Sequence, residues 1–180
     1  ISGSEKLVQN NIVKYILILL KLINGFDVQD YELKSLLINL LKIPYRKCIE
    51  IIREYSSSYR LKDYIFSEDI NNYRYKKLCS VIASELKSKN SISNQIKIIF
   101  SNIIQEFETE ADKEKYDFLL KEAENFEKAF SETVSDIAKE FISQIENSVI
   151  SENPIDSFAL PKDAIIVSSP QKIIDFSIRT

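Results

Sequence analysis

Apolar side chains return every three or four positions through most of the first 150 residues, the spacing of amphipathic helices. Leu33, Leu36, Leu37, Leu40 and Leu41 form one stripe at i, i+3, i+4, i+7 and i+8, in a helix that starts after Asp27 or Asp30. Pro44 ends that helix and opens the next at its first position. There Tyr45, Cys48, Ile49, Ile52 and Tyr55 repeat the pattern, and Ser56-Ser57-Ser58 reads as a loop. A shorter helical piece near Tyr59 to Phe66 follows. Ser67 or Asp69 then caps a helix with Ile70, Tyr73, Leu78, Val81, Ile82 and Leu86 on its inner face. Beyond Lys89-Asn90-Ser91, a further helix carries Ile92, Ile96, Ile99, Phe100, Ile103 and Phe107.

The two ends of this helical region differ in character. The first helix is expected from about Glu5 to Asn24, with Ser4 as N-cap and Gly25 just past its C-terminus. Apolar residues lie nearly all round its middle, which predicts a central helix with neighbours on several sides. At the other end, Thr109-Glu110-Ala111-Asp112 has capping-box spacing. Leu119, Ala123, Phe126, Phe130, Val134, Ile137, Phe141, Ile145 and Val149 then step by threes and fours. That is one long helix, or two broken near Ser131.

The pattern therefore predicts an all-α domain over residues 1–150, a multi-helix bundle or short α-solenoid of six or seven helices. Leu37, Leu40, Ile49, Ile99, Ile103 and Phe130 sit at the centres of their stripes and are expected to be buried. Residues 151–180 change period. Pro154, Pro161 and Pro170 punctuate them, Ala164 to Val167 is β-prone, and Ile174, Phe176 and Ile178 alternate with polar residues. This is an extended C-terminal arm, a small β-hairpin, or the lead into a following region. An apolar edge of that kind suits strand addition to a partner.

Composition narrows the chemistry. The chain has no histidine and two glycines, one of them in the opening Ile1-Ser2-Gly3-Ser4. Histidine-based triads, histidine zinc sites and glycine-rich phosphate loops are therefore absent from the sequence. The acids between Glu106 and Glu127 mostly fall between apolar stripe positions and read as a solvated helix face. No catalytic, cofactor-binding or metal-ligating residue is assigned. A Ser–Lys or dicarboxylate mechanism would need residues brought together by the fold, and nothing in the sequence marks them. Cys48 and Cys79 both read as buried thiols rather than a disulfide framework, which points to a reducing, cytoplasmic setting. The longest apolar run, Tyr15 to Leu20, is too short to span a membrane. The chain lacks methionine, so it reads as a processed product or a piece of something larger.

Charge divides the chain. Residues 1–104 hold 16 Lys/Arg against 10 Asp/Glu, net +6, and residues 105–180 hold 8 against 17, net −9. Within the basic half, Tyr59-Arg60-Leu61-Lys62 and Tyr73-Arg74-Tyr75-Lys76-Lys77 interleave aromatics with cations. Such mixtures occur in nucleic-acid grooves and on anionic membrane surfaces. The simpler reading has Tyr73 packed inward while Arg74, Lys76 and Lys77 face water, and a pI of 5.2 argues against a dedicated nucleic-acid binder. The sequence thus favours a non-catalytic protein–protein interaction module: an adaptor, scaffold or effector domain using helical surfaces and the arm residues Ile174, Phe176 and Ile178. The alternative is an anionic-ligand module that binds a phosphoinositide membrane surface or RNA through Arg60, Lys62, Arg74, Lys76 and Lys77. A histidine-free enzyme is the third class.

Overall fold

A computed structural model describes residues 9–58, 71–130 and 134–151 of the chain. These residues form seven helices and no strand, and 81% of them are helical, far above the roughly one-third of an average globular protein. The helices are α1 (Asn11–Ile23), α2 (Asp30–Ser35), α3 (Tyr45–Ser58), α4 (Asn71–Glu85), α5 (Ile92–Ile99), α6 (Glu110–Ala129) and α7 (Val134–Ser151). The all-α reading holds. The C-terminal arm and its possible hairpin lie outside the described residues, as does the expected helical piece near Tyr59 to Phe66.

Two compact units divide the chain, residues 10–142 and residues 1–9 with 143–180. In the larger unit α1 is the core helix. Nine of its residues are buried, including the whole run Ile16 to Leu20, and it packs against α4, α5 and α6. Its expected start at Glu5 under a Ser4 cap lies outside the described residues. The chain bends at Asn10, whose side chain accepts the Val13 N–H at 3.2 Å, and α1 opens at Asn11. At its other end Gly25 has φ 78°, a conformation that costs glycine nothing. Gly25 N–H then reaches Leu22 O and Phe26 N–H reaches Lys21 O, which closes a Schellman motif.

Hydrogen bonds between ends give each helix its direction. Taking Asn10 as the lower end of α1 and Asn24 as the upper, α2 opens near the top, where Glu32 pairs with Lys21 at 2.9 Å. Descending from there, it reaches Leu40 at the bottom. α3 climbs back, so that the Tyr55 hydroxyl accepts the Val28 N–H at 3.3 Å. α4 also climbs, from Arg74 below to Leu86 beside Gly25 above. α5 starts at the top, where Asn24 donates to Gln95 at 3.0 Å, and descends. α6 opens below, where its Asp112 accepts from Asn10 at 2.9 Å, and ends above at Glu127.

Several stripe assignments shift, each for a local reason. α2 and α5 both end in a turn of π-helix, Leu36–Leu40 and Phe100–Ile104. Leu41 N–H bonds Leu36 O, five residues back, so one extra residue enters the turn. Leu37 and Leu41 stay buried while Leu40 rotates to a half-buried position. On α3 the buried face is Cys48, Ile51, Ile52 and Tyr55. Ile49 is half-buried and Tyr45, at the open first turn, is 63% exposed. The helix also continues through Ser56–Ser58, which the sequence reads as a loop: serine lacks a helix-breaking backbone, and Ser56 bonds Asp30 at 3.3 Å.

On α4 the inner residues are Tyr75, Leu78 and Val81, whereas Tyr73 and Leu86 face water. Tyr73 lies about 200° round the helix from Tyr75, and it is Tyr75 that keeps i, i+3 and i, i+7 spacing with Leu78 and Ile82, so the helical period itself turns Tyr75 inward. Ile99 and Ile103 are buried as expected. Phe130 is not: α6 ends at Ala129, and Phe130 is extended and 39% exposed, with its ring against Phe126 at 4.4 Å. The long helical pattern therefore resolves into two helices, with residues 131–133 outside the described set.

Candidate functional site

The lower end of the larger unit is built around Arg74. A helix leaves its last carbonyls without intrahelical partners and concentrates negative partial charge there. The ends of α2 and α5 meet at this point. Arg74 donates one guanidinium nitrogen to Leu40 O at 3.0 Å and the other to Ile103 O at 3.2 Å, one carbonyl from each π turn. The planar, always-charged fork suits two acceptors at once, as a lysine ammonium on a flexible stem does not. After each π turn the chain reverses through a left-handed residue that is not glycine, Lys42 (φ 60°) and Gln105 (φ 75°). Such conformations carry strain that the surrounding contacts must hold. An aromatic cluster backs the second turn: the rings of Phe100 and Phe107 stack at 4.5 Å, and Tyr116 lies 4.8 Å from Phe100. Burial pushes the Tyr116 hydroxyl pKa up, helped by the Asp117 charge. The Tyr15 hydroxyl is raised by burial and then by Glu108.

Of the cations read from sequence, one is taken up inside the structure. Arg74 is half-buried and bound to backbone, not presented to solvent. Lys76 is exposed, Lys77 half-buried, and Tyr73 is 66% exposed beside them. Arg60, Lys62, Ile174, Phe176 and Ile178 lie outside the described residues.

A different aromatic–cation group, which the sequence reading missed, spans α2 and α3. Tyr31 is 73% exposed, and Lys34, one turn on, sits 5.6 Å over the Tyr45 ring. No local spacing announces this pair, because Lys34 and Tyr45 meet only when the two helices fold against each other. One signal was present: Tyr45 directly follows Pro44 in a first helical turn, where a side chain has fewer neighbours. Phe118, 39% exposed on α6, is a further exposed aromatic.

Buried polar groups are taken up in tying helix ends. Glu127 accepts from Ser93 N–H and Ser93 Oγ–H, both at 3.0 Å, at the first turn of α5. Ser91 caps the same turn by accepting the Asn94 N–H. Glu85 is buried and accepts from Ser88 at 3.1 Å and Asn90 at 3.0 Å, in the turn after α4. Cys48 is buried, and burial raises its thiol pKa against the opposing pull of Lys34. Cys79 is half-buried, more open than the sequence reading had it. Among the described residues, no group of three acidic, cysteine or histidine side chains is placed to hold a metal ion, and no helix is long and apolar enough to cross a membrane.

The chain matches no protein-family model, no curated protein and no solved structure.

Proposed function

We propose that this chain is a non-catalytic protein–protein interaction module, an adaptor, scaffold or effector domain working through its helical faces and C-terminal arm in a reducing, cytoplasmic setting. One observation carries the reading: Tyr31 and Tyr45 stand in water on either side of Lys34. Tyrosine is among the residue types that dominate interface energetics, because it brings large rigid area and a polar handle together. The buried Cys48 thiol supports a reducing compartment. The anionic-ligand alternative keeps Lys76 and Lys77 beside exposed Tyr73, but it loses Arg74 to the two carbonyls.

Affinity capture from the native cell with the full chain tests the proposal. The double variant Tyr31→Ala/Tyr45→Ala and the arm variant Ile174→Ser/Phe176→Ser/Ile178→Ser should each lose a protein that the wild type retains. Capture unaffected by both variants would contradict it. Salt-sensitive binding of RNA or phosphoinositide liposomes that disappears in Lys76→Glu/Lys77→Glu would favour the alternative.

A further inference from the structure

We propose that α4 of one copy of this chain docks antiparallel on α6 of a second copy, so that the protein associates with itself through two unlike faces. The outer stripe of α4 is Tyr73, Lys76, Lys77, Ser80, Ala83 and Ser84, continued by Lys87 in the turn beyond. All are exposed except the half-buried Lys77, and the helix's one carboxylate, Glu85, is buried on the opposite side. This face is therefore cationic, with small residues at its middle. The outer stripe of α6 carries Glu114, Asp117 and Glu124, with Phe118 among them and Lys121 and Lys128 in the same register; all six are exposed, Asp117 also pairs with Lys113 at 3.2 Å, and the face is net negative.

The two stripes share one spacing. Taken from Tyr73 and from Glu114, both run i, i+3, i+4, i+7, i+10, i+11, i+14, a length of about 21 Å. Laid antiparallel, Lys77 comes level with Glu124, and Lys87 with Glu114. Between these two pairs Phe118 comes level with Ala83, where the small side chain leaves room for the ring, and Asp117 with the Ser84 hydroxyl. Tyr73 comes level with Lys128, a cation–π pairing. No like charges come level, because Lys121 falls opposite Ser80 and Lys76 opposite Asn125. The parallel alignment that matches the same glutamates sets Lys76 against Lys113, which disfavours it. Antiparallel helices also oppose their dipoles. One helix pair buries less than the roughly 1,200–2,000 Å² of a stable interface, so the association is weak, reversible and sensitive to salt. These faces are separate from the Tyr31–Tyr45 group, and self-association does not depend on that group having a partner.

Sedimentation velocity on the full chain, over a range of protein and salt concentrations, is the test. Wild-type protein should sediment faster as concentration rises and revert to monomer at high salt. Lys77→Glu/Lys87→Glu alone and Glu114→Lys/Glu124→Lys alone should both be monomeric. An equimolar mixture of the two should recover the heavier species, because each supplies the face that the other lacks. Ala83→Gln, which fills the space for Phe118 without changing charge, should weaken association while circular dichroism stays native, and this arm holds even if a charge reversal unfolds the protein. Monomeric wild type at every concentration, or association that survives both reversals, overturns the proposal. So does a mixture that stays monomeric. A wild type that is monomeric yet captures another protein overturns self-association and leaves the proposed function standing.

Discussion

The two ends of the helical body are held by opposite charges. At the upper end, helix N-termini meet side-chain oxygens: Glu127 and Ser91 bind the first turn of α5. Two helix C-termini meet a cation at the lower end, where one guanidinium bonds the last turns of both α2 and α5. Both follow the partial charges of helix ends. They differ in how the work is divided. Two side chains, Glu127 and Ser91, share it above and serve one helix between them. Below, a single residue serves two helices that already end in π turns and left-handed residues. The upper end should therefore tolerate single losses, and the lower end should not.

The largest effects belong to packing at the lower end. Leu37 is fully buried in the first π turn, and Leu37→Ala should cost about 2–5 kcal/mol in chemical denaturation. Leu40→Ala, in the same turn but rotated outward, should cost about 1 kcal/mol or less. Equal losses would mean that the π turn does not set the register. Next come the two ends themselves. Arg74→Ala strands two carbonyls and should cost about 1–3 kcal/mol. Glu127→Ala leaves Ser91 capping α5 and should cost about 0.5–2 kcal/mol, the smaller of the two losses. The reverse ranking would break the contrast.

The smallest effect is alkaline. Cys48, Tyr15 and Tyr116 all have folded pKa values raised by burial. Below the ordinary thiol and phenol range they are neutral in both states, so their contribution is intact. As pH rises past about 8.5, and then about 10, the unfolded chain ionises first and stability falls. Melting temperature should decline over that window, and Cys48→Ala should flatten its first part. A flat profile across it in the wild type would contradict the burial of these groups.

Much of the fold was legible because it rests on local signals. Gly25 as helix terminator, Pro44 at a helix boundary and the Thr109–Asp112 capping box all appear in the structure. The central role of α1 followed from apolar residues on every side. What was not legible depends on residues distant in sequence. Nothing in the leucine spacing announces a π turn, and so Leu40 was placed inside. By contrast, Tyr75, not Tyr73, keeps i, i+3 and i, i+7 spacing with Leu78 and Ile82, so their exchange was legible in the helical period and the sequence reading set the wrong tyrosine inside. Arg74 read as a surface cation because its acceptors, Leu40 and Ile103, lie about thirty residues away on either side. The Lys34–Tyr45 group was hidden for the same reason.

Amide hydrogen exchange, resolved by NMR in wild type and Arg74→Lys, tests most directly whether one guanidinium holds two helix ends. Lysine keeps the charge but cannot present a two-pronged planar fork. The amides of Leu41 and Gln105 close the two π turns by bonding Leu36 O and Phe100 O. Both should lose protection together in the variant, while the Gln95 amide, bonded to Ser91 O at the upper end, keeps its own. Loss confined to one turn, or protection unchanged at both, would contradict a shared Arg74 anchor.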